Sequence, residues 1–219
     1  MKRDGSWRPR PEERARVARV WEGLATLYPD ARTELVYRNP FELLCAVLLS
    51  AQCTDVRVNM VTPGLFRRYP DARALAEADV SDVADLVRSC GLWPAKSRNL
   101  VAMARILVAV HDGEVPASRE ALESLPGVGR KTANVVLAQA FGEPALAVDT
   151  HVFRVARRLG LSRSEDVLGV EQDLQRRLAR EAWAEGHHWL ILHGRRVCIA
   201  RKPRCTECPL RPDCPGASA

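Results

Sequence analysis

Leu125-Pro126-Gly127-Val128-Gly129-Arg130-Lys131-Thr132 joins one helical pattern, ending near Ser124, to another that begins near Arg130. Two glycines one residue apart permit a tight turn with positive φ values, and they leave a backbone bare enough for a ligand to approach. Amides of the turn and of the next helix's first residues then point outward as an anion site suited to a phosphate. An ordinary glycine-containing helix–helix turn is the competing reading of Gly127 and Gly129 alone. A nucleoside-triphosphate loop is excluded. It needs Gly-Lys-Ser/Thr after a strand, whereas here Arg130 separates Gly129 from Lys131 and a helix precedes the turn.

Outward from this turn the apolar spacing stays helical. Val17, Val20, Trp21, Leu24, Leu27 and Tyr28 recur at three and four residues, with Pro11 just inside the start of that helix. Similar stripes predict helices from about Pro40 to Cys53, Asp55 to Arg68, Ser81 to Ser89, Lys96 to Val110, Lys131 to Phe141, Thr150 to Leu159 and Val170 to Trp183. No stretch alternates long enough to be a strand. Turns of two to six residues separate the helices, as at Tyr69-Pro70-Asp71 and Gly91-Leu92-Trp93-Pro94. Short connections between about ten helices predict a compact all-α protein.

The 219 residues are 47% hydrophobic and 27% charged, the composition of a globular chain large enough for a core without disulfide staples. No apolar run reaches 18 residues, so a membrane-spanning helix is not expected. A net charge of +6 favours a polyanionic partner without requiring one. Met1 to Val20 carries seven Arg or Lys against three acids, either a solvated arm or a nucleic-acid contact. The N-terminus lacks the apolar core of a signal peptide, so a reducing cytoplasmic location is expected, nucleoid-associated in a prokaryote. Cys45, Cys53 and Cys90 lie among apolar helices and read as core residues.

Lys131 falls in the first turn of its helix, where the positive end of the dipole disfavours an ammonium. A free lysine is neutral in roughly one copy in 2,500 at pH 7, and lowering its pKa by about two units raises the nucleophilic fraction a hundredfold. The alternatives are a lysine that reaches solvent or binds a phosphate. Asp149, in Ala147-Val148-Asp149-Thr150-His151-Val152, is placed as the N-cap of the next helix. In a cleft the same carboxylate could stabilise a developing sugar cation or accept a proton. His151 is a pocket candidate set against an ordinary helix-start histidine.

Cys198, Cys205, Cys208 and Cys214 give the spacing C-x6-C-x2-C-x5-C. Pro203, Pro209, Pro212 and Pro215 forbid continuous helix or sheet there, so four thiolates around a metal are the natural tie. Spacing does not separate structural zinc from an iron–sulfur cluster. Arg195, Arg196, Arg201, Lys202 and Arg204 put five cations and no acid into ten residues. They would make a basic knob for a phosphate backbone, or else compensate a negative cluster.

Read together, LPGVGRKTANVVLAQAFGEPALAVDT from Leu125 to Thr150 resembles the helix-hairpin-helix/Gly-Pro-Asp signature of the DNA glycosylase superfamily. With HHWLILHGRRVCIARKPRC from His187 and the four-cysteine tail, the chain resembles its iron–sulfur branch, the endonuclease III family. FELLCAVLLSAQCTDVRVN and GLWPAKSRNL are similar to that family too. The resemblance implies two helical lobes with a cleft between them. One would be a helical barrel over about 33–144, including the hairpin at 118–141. The other would join 1–32 to 145–219 and end in a [4Fe-4S] loop at 198–214. It further implies a monomeric glycosylase/AP lyase that removes oxidised or ring-saturated pyrimidines from double-stranded DNA. Lys131 matches the nucleophile and Asp149 the aspartate that assists base departure. Gln52 matches the residue that fills the space of the flipped base, and Leu92 the intercalating wedge. Gly127, Gly129, Arg130, Arg201, Lys202 and Arg204 would contact DNA, with His151 and Asp55 near the pocket. Rival readings are a monofunctional mismatch glycosylase of the same fold and a non-catalytic helix-hairpin-helix DNA-binding module. Adenine glycosylases lack the lysine and carry a further C-terminal domain, whereas this sequence stops five residues after Cys214.

Overall fold

The computed structural model describes residues 10–217; most of the basic segment before Pro11 lies outside the described residues. Among them the secondary structure is helical throughout, with no strand. The α-helices are α1 (Pro11–Leu27), α2 (Pro40–Leu49), α3 (Asp55–Arg68), α4 (Ala72–Ala76), α5 (Val80–Val87), α6 (Trp93–His111), α7 (Arg119–Glu123), α8 (Arg130–Phe141), α9 (Thr150–Arg158), α10 (Val167–Arg177) and α11 (Trp183–Arg196). Single 3-10 turns cover Arg180–Ala182, Cys205–Glu207 and Arg211–Asp213. No helix of the described residues is long and apolar enough to cross a membrane.

The chain divides into two compact units, residues 33–147 and residues 1–32 with 148–219. In the first, α2 is the central rod: every residue from Phe41 to Leu49 is buried, Glu42 included. The Glu42 carboxylate is held by its neighbours, accepting from Arg38 N at 2.8 Å and from the Arg38 guanidinium at 2.5 Å. Asn39 caps the helix by accepting from Glu42 N at 2.9 Å. Around α2 pack α3, α6 and α8, while α4 and α5 lie on α6. The unit extends through Ala145-Leu146-Ala147, all buried, and the Asn134 amide donates to Leu146 O at 2.9 Å.

In the second unit α1 packs on α11, and α9 packs on both α10 and α11. Trp21 and Trp189 meet with ring centroids 6.3 Å apart, and the Tyr28 hydroxyl lies 3.1 Å from His193 Nδ1. Arg16 donates to the carbonyls of Leu159, Gly160 and Asp213 at 2.8 to 3.0 Å, tying α1 to the end of α9 and to the C-terminal segment. The helix expected from Val170 to Trp183 is broken. Leu178 turns extended (φ −125°, ψ 140°), and its side chain seats against Gly186 of α11, where a Cβ would lie 2.3 Å from Leu178 Cδ2. Burying Leu178 there outweighs continuing the helix. The stripe from Pro40 likewise stops at Leu49, because Gln52 takes a positive φ of 52°.

Candidate functional site

The hairpin is built from α7, a turn and α8. Leu125 and Val128 are buried and act as its feet, and Val128 N donates to Leu125 O at 3.0 Å. Between them Gly127 adopts φ +78°, a conformation that L side chains resist. A Cβ there would sit 2.6 Å from Asn99 Nδ2 and 3.1 Å from Asn99 Cβ, so glycine is required twice over. Gly129 differs. It is the N-cap of α8 with φ −99°, exposed, and nothing lies within 4 Å of where its Cβ would be. The first-turn amides of α8 that follow have no partner within the helix. Arg130 and Lys131 follow as the first two residues of α8, both half-buried.

Asp149 caps α9, its Oδ1 accepting from Val152 N at 2.8 Å. His151 is half-buried beside Gly194 of α11, with Nδ1 3.3 Å from Arg154 Nη2. Asp55 opens α3, whose N-cap is the neighbouring Thr54.

Gln52 and Leu92 stand on two abutting turns. A Cβ on Gly91 would lie 3.0 Å from Gln52 O. Both residues are exposed and both are left-handed, at φ +52° and φ +60°. For an L residue that conformation costs about 1–2 kcal/mol. Asp112, also at positive φ, is a helix C-cap, where such a conformation is common. Leu92 has no such excuse: it is the N-cap of α6, apolar and 54% exposed. Backbone strain and an exposed apolar side chain thus coincide at Leu92.

The four C-terminal cysteines line one pocket open to solvent, with Arg158 and His193 beside them. Arg158 Nη1 approaches Cys198 Sγ at 3.5 Å, Cys214 Sγ donates to Arg158 O at 3.3 Å, and Cys208 Sγ is 3.7 Å from His193 Nε2. Among the described residues no three His, Cys, Asp or Glu side chains converge closely enough to hold a single ion. Burial, and then the charge of neighbouring cysteines, push the Cys208 and Cys214 thiols upward, against backbone amides that pull them down. Four thiolates here require a cationic centre. The loop between Cys198 and Cys205 is closed by Arg204 N donating to Val197 O at 3.0 Å, and it exposes Arg201, Lys202 and Arg204.

Two functional features escaped the sequence reading. Arg154 and Arg158 of α9 reach the carbonyls of Cys198, Ile199 and Ala200 at 2.8 to 3.3 Å, and so they brace the cysteine segment. The run Phe153-Arg154-Val155-Ala156-Arg157-Arg158 could have signalled this, since its basic face opposes its apolar one. Lys96 is buried, its ammonium donating to Leu49 O at 2.8 Å, with no local sign in the sequence.

Comparisons with known proteins agree with this architecture. Residues 45–180 match the HhH-GPD superfamily of base excision DNA repair proteins. Endonuclease III of Synechocystis is 50% identical over 197 residues, 90% of either chain, and that of Escherichia coli K12 is 50% identical over 186 residues, 85% of this chain and 88% of its own. Among solved structures, a trapped endonuclease III–DNA covalent intermediate superposes with a TM-score of 0.90 at 46% identity, covering 93% of this chain and 96% of that one. A non-covalent endonuclease III–DNA complex gives 0.89 with the same identity and coverage. A thermostable thymine-DNA glycosylase, 22% identical with a TM-score of 0.83 over 93% of this chain and 97% of that one, shares the fold. The chain belongs to the HhH-GPD superfamily of base excision DNA repair proteins.

Proposed function

We propose that this protein is a bifunctional DNA glycosylase/AP lyase that releases oxidised or ring-saturated pyrimidines from duplex DNA and then cleaves the strand. The observation that carries the reading is Lys131 in the first turn of α8, directly behind a hairpin whose bare Gly129 suits a phosphate. Support for a covalent route comes from the relatives, one of which was trapped covalently on DNA.

In this mechanism the hairpin amides and Arg130 grip the backbone, and the exposed Arg201, Lys202 and Arg204 add affinity along the strand. Gln52 fills the space left by the flipped nucleotide and Leu92 wedges the opened stack, which offsets the few kcal/mol that flipping costs. Asp55 and His151 remain the further candidates for contact with the damaged nucleotide. The Lys131 amine attacks C1′ of the damaged nucleoside, the C1′–N bond breaks, and the base leaves with a proton. The Asp149 carboxylate stabilises positive charge developing on the sugar and accepts the proton that Lys131 gives up. The sugar ring opens to a Schiff base with Lys131. Loss of a C2′ proton then expels the 3′ phosphate by β-elimination, and water releases the enzyme.

Cys198, Cys205, Cys208 and Cys214 would hold a [4Fe-4S] cluster, the group that the family resemblance implies for four thiols lining one pocket. Bound there, the cluster would supply the folding free energy that a proline-rich segment with little core lacks. The reading places the protein on chromosomal DNA in the cytoplasm, acting as a monomer.

The test is to mix the protein with duplex DNA containing one thymine glycol, add borohydride, and look for an adduct. A covalent adduct lost in Lys131→Ala is the expected result. Base release without any adduct would instead indicate a monofunctional glycosylase, and neither product would leave a DNA-binding module.

A further inference from the structure

The mechanism above leaves Cys53, Cys90 and Lys96 without a task, yet they form a cluster. Cys90 is fully buried at the end of α5, its amide donating to Val87 O at 2.8 Å. Cys53 is half-buried in the turn after α2, its amide donating to Ser50 O at 3.1 Å. Thirty-seven positions apart in the chain, the two cysteines sit on touching turns, and each thiol lies within the other's electrostatic reach. The buried Lys96 ammonium and Arg57 are the cations that act on Cys90. Lys96 is fixed by Leu49 O, the last residue of α2. Gln52 directly precedes Cys53, and Leu92 lies two residues after Cys90. The backbones of the two turns touch at Gly91 and Gln52 O.

We infer that Cys53 and Cys90 are a redox-active dithiol site, which two-electron oxidants of the peroxide or small-molecule disulfide class convert to a disulfide that locks the Gln52 and Leu92 turns together. With a peroxide, Cys53, the half-exposed partner, attacks one oxygen as its thiolate. The O–O bond breaks, Cys53 becomes a sulfenic acid, and hydroxide leaves. The Cys90 sulfur then attacks Cys53 sulfur, the S–O bond breaks, and water departs with the thiol proton. Two thiols and one peroxide thus give one disulfide and two waters. Burial first, then Cys53, push the Cys90 thiol up to about 11, against the pull of Lys96 and Arg57. Cys90 is therefore the resolving thiol rather than the first to react.

The sulfur chemistry stands independently. Its effect on DNA rests on the reading of Gln52 and Leu92 as residues that enter the duplex, since turns held at one spacing cannot adjust around a flipped nucleotide.

The cluster-loaded protein is treated with oxidised glutathione or dilute peroxide, alkylated and digested without reductant. A peptide cross-linked through Cys53 and Cys90, reversed by dithiothreitol and missing from both Cys53→Ser and Cys90→Ala, is expected. Strand cleavage of thymine glycol DNA should fall with cross-linking, return on reduction, and stay constant in oxidant-treated Cys53→Ser with full iron content. Separate alkylation of the two cysteines after oxidation overturns the pair. A cross-link without loss of cleavage overturns the coupling to the turns. An inactive reduced protein that still cross-links refutes the glycosylase reading and, with it, that coupling, but leaves the dithiol site standing.

Discussion

Gly127 and Gly129 should fail in different ways when each is changed to alanine. At Gly127 the backbone is left-handed, which costs an alanine about 1–2 kcal/mol. The new methyl would also meet Asn99. Rotating that side chain clears Nδ2 at 2.6 Å but not Cβ at 3.1 Å, which α6 holds in place. Pushing a side chain off its rotamer adds about 0.5–1.5 kcal/mol. Gly127→Ala should therefore lose about 2–3 kcal/mol, which lowers the melting temperature of a chain this long by roughly 4–12 °C. At Gly129 the backbone is ordinary and the methyl meets nothing, so stability should stay within about 0.5 kcal/mol of wild type. Its methyl would instead occupy the space through which a phosphate reaches the first-turn amides. Losing one charge-assisted hydrogen bond there costs about 1.5–3 kcal/mol, roughly a ten- to hundredfold fall in affinity. Thermal unfolding and fluorescence anisotropy on a duplex with a non-cleavable abasic analogue measure both. Wild-type affinity in a folded Gly129→Ala would refute the phosphate grip, and an unchanged melting temperature in Gly127→Ala would refute the strain argument.

Asp149→Asn should keep the α9 cap, because an amide oxygen accepts from Val152 N as a carboxylate does, while base release falls by orders of magnitude; equal activity would remove the carboxylate from the chemistry. Cys205→Ser should lose iron and destabilise the C-terminal segment, read by iron content and calorimetry, and full iron with unchanged stability would contradict the four-ligand assignment. Burial, aided by His187 and Arg195, lowers His188 to about 3, so the folded protein keeps it neutral while the unfolded chain protonates it near 6.5. Stability from this residue is complete above about 6.5 and lost as pH falls toward 3, at up to about 1.4 kcal/mol per unit, and His188→Gln should flatten that slope in denaturant titrations.

What could be read in advance was local. Pro11 and the apolar spacing from Val17 to Tyr28 place α1, because capping and periodicity act within a few residues. The hairpin and the four-cysteine spacing are equally local, and their resemblance to one superfamily is what the comparisons uphold. The break at Leu178 was not legible, because it depends on Gly186 receiving that side chain. Nor were the abutting turns that carry Cys53 and Cys90 or the burial of Lys96, which arise where segments distant in sequence pack together. The short helix α4 offers too few turns for a period to show.

The helix α9 has Asp149 at one end and Arg158 near the other, about 13 Å apart along nine residues. Its far end is gripped from several directions at once: Arg158 holds Ile199 and Ala200, Gly216 N donates to Arg158 O at 3.0 Å, and Arg16 clasps Leu159 and Gly160. Until the last twenty residues have folded, the far end of α9 lacks the grip of Ala200 and Gly216, while its packing on α10 and α11 and the clasp of Arg16 are in place. On the proposed mechanism, a cofactor-starved molecule keeps Lys131 on an intact hairpin while the helix that carries Asp149 is braced less firmly.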